Sequence, residues 1–159
     1  MTTGSQTSSV DKPMPLDRSA LKPGLWSTAI KIRFGHCDPA GIVYTPRFFD
    51  IFNVAIEEWY NARLGISYYD LIGPRRTGLG YVNAHADFFQ PACMGDTLEI
   101  AVDLERVGTS SFALQLHAFN GEAEALRGRF TVVTTDLTTH RSKPIPDDLR
   151  VALLDYAKS

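Results

Sequence analysis

The sequence predicts an α+β domain in which one curved antiparallel sheet of five strands wraps a long central helix. Three observations carry this expectation. The segment "TPRFFDIFNVAIEEWYNARLG" is helical and apolar around most of its circumference, and five other segments alternate apolar and polar residues with the period of a strand. Four of those strands are joined by links so short that antiparallel neighbours are the economical arrangement.

The elements follow in order. In "WSTAIKIRF", Thr28, Ile30 and Ile32 oppose Ala29, Lys31 and Arg33, which describes a half-buried strand. The helix comes next, with Thr45 as an expected N-cap, Pro46 suited to the first helical position and Gly65 placed for a left-handed C-terminal cap. Arg47, Asp50, Asn53, Glu57 or Glu58, and Asn61 form one narrow polar stripe. Phe48, Phe49, Ile51, Phe52, Ala55, Ile56 and Trp59 cover much of the rest, so other structure must surround the helix.

After a loop containing "GPRRTG", the stretch "YVNAHADFF" sets Val82, Ala84, Ala86 and Phe88 against Tyr81, Asn83, His85 and Asp87. "TLEIAVDLE", "SFALQLHAF" and the longer "EAEALRGRFTVVTTD" complete the strands, with "PACMGD" and "NG" as tight links. The tail "PIPDDLRVALLDYAKS" reads as a short terminal helix. Residues 1–24, rich in Ser, Thr, Pro and Gly and without hydrophobic period, are expected to be a disordered or loosely docked arm, leaving 25–159 as the single domain.

Composition narrows the function. With 159 residues, 44% of them hydrophobic, the chain is long enough for one core. Sixteen Lys and Arg against eighteen Asp and Glu give a net charge of −2, which lacks the basic footprint of a nucleic-acid binder and favours a small-molecule ligand. Two cysteines without CxxC spacing suggest neither a disulfide framework nor a metal site. No apolar run is long enough to span a bilayer and the first residues lack a signal-peptide pattern, so a cytoplasmic location is expected.

The chemistry concentrates in "FGHCDPAGIVY", residues 34–44, between the first strand and the helix. Pro39 biases Asp38 toward an extended backbone and Gly41 permits a sharp or left-handed turn, which can hold the carboxylate beside the helix entrance. Amides there carry partial positive charge and can receive a developing oxyanion. An isolated Asp-Pro-Ala-Gly is an ordinary turn, but this setting favours function. Adjacent His36 and Cys37 point in different directions on an extended segment, which suits scaffolding better than a metal site or a Cys–His nucleophile. His85 and His117, on polar-facing strand positions, read as surface or satisfied histidines, with a subunit interface as the other reading.

The order of elements and "FGHCDPAGIVYTPRFFDIF" resemble the 4-hydroxybenzoyl-CoA thioesterase family of the hotdog fold, from about Trp26 to the C-terminus. The resemblance implies hydrolysis of an acyl-CoA without cofactor or metal, Asp38 acting as nucleophile or as general base toward water and the backbone amide of Thr45 polarising the carbonyl. It places Gly41, Tyr44, Phe48 and Asn53 against the substrate. Asn53 stands by ungapped count where the founding type has an aspartate that meets a phenolic hydroxyl, and Tyr44 with the phenylalanines suggests an aromatic acyl group. The family's basic cluster for CoA is reduced to Arg106, with Arg127, Arg129, Arg141 and Lys143 as replacements. Glu57 and Glu58 read first as the helix's solvated or interface stripe, and Glu57 only second as a catalytic acid, the role a helix glutamate has in a related thioesterase lineage. Homodimers joined edge to edge, commonly paired into tetramers with sites at subunit boundaries, are implied too. The alternatives are a non-catalytic acyl-CoA or acyl-carrier-protein binding module and a hotdog hydratase or dehydratase; the latter lacks a well-placed helix histidine here.

Overall fold

Consecutive strands β1 (Ser27–Lys31) and β2 (Thr77–Phe88) lie at opposite edges of one antiparallel sheet, so the chain between them must cross its whole face. That crossing segment is α1 (Arg47–Trp59). β3 (Thr97–Val107), β4 (Ser111–Asn120) and β5 (Ala123–Asp136) fill the sheet in the order β1-β3-β4-β5-β2, and the two-residue β6 (Arg141–Ser142) pairs with the end of β5. A short α2 (Tyr68–Ile72) precedes β2, and α3 (Asp147–Ala157) closes the chain. This computed structural model describes residues 11–159; the first ten residues of the expected arm lie outside the described residues.

The five-stranded sheet curled around a helix is the architecture that the alternation predicts. α1 buries Phe48, Ile51, Phe52, Ala55, Ile56 and Trp59, while the expected polar stripe of Arg47, Asp50, Asn53 and Asn61 faces outward. Facing it, the sheet contributes Leu98, Ile100, Val102, Leu114, Leu116, Phe130 and Val132. The helix seats on a gap in the sheet: a Cβ at Gly128 would lie 2.9 Å from Phe52 Cε2 and 2.7 Å from Phe130 Cε2.

Both helix ends refine the sequence reading. Pro46 has helical φ −62° and ψ −25°, and no side chain caps the first turn, so Thr45 does not act as an N-cap through its hydroxyl. Tight bonds replace the cap, from the Arg47 amide to the Tyr44 carbonyl (2.7 Å) and from the Phe48 amide to the Thr45 carbonyl (3.2 Å). At the other end a widened π turn, Tyr60–Leu64, brings Tyr60 into the core beside Trp59 before the chain stops at Gly65, φ +68°.

Pairing shifts register in β2, β3 and β4, and the shift in β2 matters for the expected faces. In β2, Tyr81 pairs with Val132 and Asn83 with Thr131, leaving Val82 as the extra residue of a bulge. The bulge reverses the parity. Val82, expected on the apolar side, is 67% exposed, whereas Tyr81 turns inward and packs on Phe130 with ring centroids 5.1 Å apart.

The outer face of β4 and β5 carries a buried polar cluster. Arg127 donates to both oxygens of Glu124 (3.0 and 2.6 Å) and lies over the Phe89 ring. His117 receives Gln115 at Nε2 and donates from Nδ1 to Glu124 at 2.7 Å. The N-terminal segment covers this cluster, the Leu16 amide bonding Glu124 at 2.6 Å and the Met14 carbonyl accepting from Arg127 at 3.0 Å. Opposite, α3 docks through Leu149, Leu153 and Tyr156, whose hydroxyl donates to the Val102 carbonyl and accepts from the Trp26 amide.

Two stability predictions follow from these contacts. Gly128→Ala pushes a methyl group into rings held on their far sides by the core, and lowers stability by about 1–3 kcal/mol in urea titrations, without changing the fold by circular dichroism. Glu124→Gln leaves the buried Arg127 without its counter-ion and costs about 3 kcal/mol at neutral pH. Burial raises the Glu124 carboxyl, but bonds from Arg127, the Leu16 amide and His117 outweigh it and hold the group below its ordinary value. The ionised form therefore stabilises the fold above the usual carboxylate range, and this contribution fades as pH falls through the folded value. Urea midpoints of wild type and variant converge on acidification; a constant gap would contradict this assignment.

Candidate active site

The connection from β1 to α1 folds as a small hairpin. Cys37 lies opposite Val43, the Asp38 amide donates to the Ile42 carbonyl (3.0 Å), and the Gly41 amide donates back to the Asp38 carbonyl (3.0 Å). Between these bonds lie Pro39, Ala40 and Gly41, with Gly41 at φ +78° as the left-handed residue that closes such a loop. The sequence dictates it: proline sets the φ that opens the turn, glycine accepts the φ that ends it, and aspartate fits the position before both.

This geometry divides the Asp38 carboxylate. Oδ1 accepts the Ala40 amide at 2.8 Å, whereas Oδ2 has no partner among the described residues. The side chain is half-buried and its backbone is fixed on both sides. Outside the hairpin the β2–β3 link adds a third strand-like layer: Ile42 lies opposite Cys93, the Val43 amide bonds the Ala92 carbonyl (2.9 Å), and the Met94 amide bonds the Gly41 carbonyl (3.0 Å). Asp96 ties that link in turn, accepting the Cys93 amide and the Asn120 side chain, each at 2.8 Å.

His36 and Cys37 support the turn. His36 Nδ1 accepts the Arg33 amide at 2.9 Å, its carbonyl accepts the Tyr44 amide at 2.9 Å, and Cys37 Sγ rests on the Arg33 carbonyl. Burial, then the neighbouring Asp38 and Cys93, push the Cys37 thiol up, which keeps it protonated and a poor nucleophile. Among the described residues no three His, Cys, Asp or Glu side chains gather as metal ligands, and no helix is long and apolar enough to cross a membrane.

The hairpin leads directly into α1. The Thr45 amide has no acceptor among the described residues, and the wall beside it opens on a cavity of about 320 Å³. Ile42, Val43, Thr45 and Phe48 line one side of it, and Phe88–Ala92 line the other, with the Phe48 and Phe88 rings 5.5 Å apart. Tyr44 is exposed at the rim of the same turn. The 88–92 wall was absent from the sequence reading; Pro91 marked a turn there, but nothing in the pattern linked it to the helix entrance.

Other expected site residues fall elsewhere. Asn53 lies farther along α1 on the exposed stripe, its Oδ1 receiving the Tyr81 hydroxyl at 2.6 Å. Glu57 accepts the Tyr69 hydroxyl at 3.1 Å. Arg129, on the outer face of β5, bonds Gln115. Arg106, Arg141 and Lys143 lie where β3 ends and β5 meets β6, at the opposite end of the sheet from the Asp38 hairpin. Arg127 is not a free cation: it is 6% exposed beneath the N-terminal segment and held by Glu124 and the Met14 carbonyl. His117 is the buried, satisfied histidine, and exposed His85 bonds Asp87 at 2.9 Å.

Known proteins resemble this chain in sequence and share its fold. A 1,4-dihydroxy-2-naphthoyl-CoA hydrolase of Prochlorococcus marinus (strain NATL2A) is 31% identical over 93 residues, covering 53% of this chain and 58% of that protein. The crystal structure of a thioesterase superfamily protein from Jannaschia sp. CCS1 superposes with a TM-score of 0.78 at 26% identity, covering 84% of this chain and 94% of that one. A gentisyl-coenzyme A thioesterase gives 0.74 at 25% identity, covering 80% and 99%. Both neighbours share the curled sheet and central helix that the α+β and hotdog expectations described. Residues 32–153, which run from the end of β1 into α3, match the thioesterase-like superfamily, and the chain belongs to that family.

Proposed function

We propose that the protein hydrolyses an aromatic acyl-CoA thioester to the free acid and CoA, with Asp38 as the reacting carboxylate. The carrying observation is the pairing of one clamped and one free carboxylate oxygen on a fixed hairpin with an unengaged amide at the helix entrance that the hairpin feeds. Family membership supports the reaction class, and relatives whose names specify naphthoyl and gentisyl esters support the aromatic acyl group.

A thioester suits so sparse a site. Sulfur donates its lone pair poorly to the carbonyl and leaves readily as thiolate, so polarising the carbonyl and supplying a nucleophile are the main tasks. The carbonyl oxygen accepts the Thr45 amide, where the helix dipole favours the negative charge that develops. Asp38 then acts through its free oxygen. As nucleophile it bonds to the carbonyl carbon as the C–S bond breaks, giving an anhydride that water hydrolyses; as base it takes a proton from a water that attacks the same carbon. The ring seats in the apolar cavity between Phe48 and Phe88, with Gly41 and Tyr44 at its approach.

A second copy of the chain completes the reading. β2 is an outer strand of the sheet, and exposed Val82, Phe49, Val54 and Tyr69 form an apolar rim beside it. Antiparallel pairing of two β2 edges would carry the Arg106, Arg141 and Lys143 end of one sheet toward the Asp38 end of the other, where CoA phosphates need cations. A dimer, paired further into tetramers, fits this. Two free cysteines suit a reducing cytoplasm.

Three measurements test these assignments. Asp38→Asn lowers kcat by about 10³-fold in a free-thiol assay while acyl-CoA still binds in calorimetry; retained turnover sinks the role of Asp38. Single-turnover hydrolysis in ¹⁸O-water then separates the two routes, since only the nucleophilic one labels Asp38 itself. Sedimentation at micromolar concentration gives a dimer or larger species, and a monomer would remove the shared site.

A further inference from the structure

We propose that Arg127, held by Glu124 and the N-terminal segment, is a positioning residue for the far wall of the acyl cavity: it keeps Phe89 from yielding outward and so limits the size of acyl group that fits. The inference rests on the reading that the ring seats between Phe48 and Phe88, and it adds what bounds that seat.

The far wall is thin. Beyond Phe88, which still pairs with Leu126, the chain leaves the β2–β5 ladder. The Phe89 and Gln90 amides share one acceptor, the Ala125 carbonyl, at 2.9 and 3.1 Å, and Pro91 has no amide to add. Phe89 and Gln90 line the cavity of about 320 Å³ and also a second cavity of about 430 Å³, which residues 15–17 and 122–124 close from the other side. A wall in a packed interior is held by the atoms behind it, but this one has open space there into which a side chain can move.

One side chain backs it. The Arg127 guanidinium lies 5.3 Å from the centre of the Phe89 ring. Three donated bonds fix the plane of that group: Nε and one terminal nitrogen reach the two Glu124 oxygens at 3.0 and 2.6 Å, and the same terminal nitrogen reaches the Met14 carbonyl at 3.0 Å. Glu124 is tied in turn by His117 and by the Leu16 amide. The N-terminal segment has its own anchors, since Asp17 lies opposite Ala123 and Arg18 meets the Gly121 carbonyl at 2.7 Å and Glu99 at 2.8 Å. Contacts thus run without a break from residues 14–18 through Glu124 and Arg127 to Phe89. A lysine would keep the charge that Glu124 needs but not the flat face that Phe89 meets.

The test measures kcat/KM for benzoyl-CoA and for two larger esters, naphthoyl-CoA and para-phenylbenzoyl-CoA, on wild type, Phe48→Ala, Phe89→Ala, Arg127→Lys and Tyr156→Phe. The quantity read is the ratio of each larger ester to benzoyl-CoA within one preparation, which is independent of the folded fraction. Phe48→Ala, which cuts back the near wall, and Phe89→Ala, which removes the ring that Arg127 backs, each raise at least one ratio by about tenfold. Arg127→Lys raises the ratio that Phe89→Ala raises, by about threefold. Tyr156→Phe loosens α3, away from both cavities, and leaves the ratios at their wild-type values. If Phe48→Ala raises a ratio while Phe89→Ala or Arg127→Lys does not, or if Tyr156→Phe raises it as much as Arg127→Lys, the positioning role is overturned and the seating of the ring stands. If Phe48→Ala leaves both ratios unchanged, the ring does not seat in this cavity, and the inference fails together with the reading beneath it.

Discussion

The site depends on how closely α1 approaches the sheet, and one missing side chain sets that distance. Phe52 occupies the space that a Cβ on Gly128 would need, and Phe130 closes over it at a centroid distance of 5.6 Å. Glycine weakens a strand on its own account, so its place in the middle of β5 needs a packing reason, and the helix supplies one. Because the Thr45 entrance and Phe48, which line the cavity, belong to the segment so seated, a shift of α1 would move the cavity wall and the Thr45 amide together. Packing at the centre of the sheet thus sets geometry at its edge.

Two local irregularities stand out against this frame. The Asp38 hairpin is held by backbone bonds to its own strands and to the β2–β3 link, which leaves the carboxylate little freedom to rearrange. The Val82 bulge turns Tyr81 inward onto Phe130 and toward Asn53 of α1. In both cases the chain departs from simple periodicity where a side chain has to be aimed.

Those departures also mark where the sequence could be read and where it could not. The helix, the strands and the Asp38 turn were legible because each rests on local chemistry: apolar spacing, Pro46 and Gly65, and Pro39 with Gly41. The bulge was not, since Tyr and Val suit either face of a strand and the extra residue shows only against its partner strand. Arg127 looked like any cation on an outward strand position. What buries it is Glu124 beside it and the Met14–Leu16 segment, more than 100 residues away, whose lack of period gave no sign of docking. Thr45 failed as a side-chain cap for a related reason: tight carbonyl bonds from Tyr44 and Thr45 satisfy the first amides of the helix without its hydroxyl.

The same tightening of the first turn bears on catalysis. A capping hydroxyl would compete for the amides at the helix entrance, whereas here the Arg47 and Phe48 amides donate to preceding carbonyls and the Thr45 amide has no acceptor among the described residues. Pro46, which has no amide to offer, makes Thr45 the last donor before the helix proper. One exposed amide backed by a helix dipole is a modest electrophile, weaker than a pair of converging donors. Such a site matches a thioester carbonyl, already activated by sulfur, better than an amide or oxygen ester that would demand more stabilisation of its oxyanion.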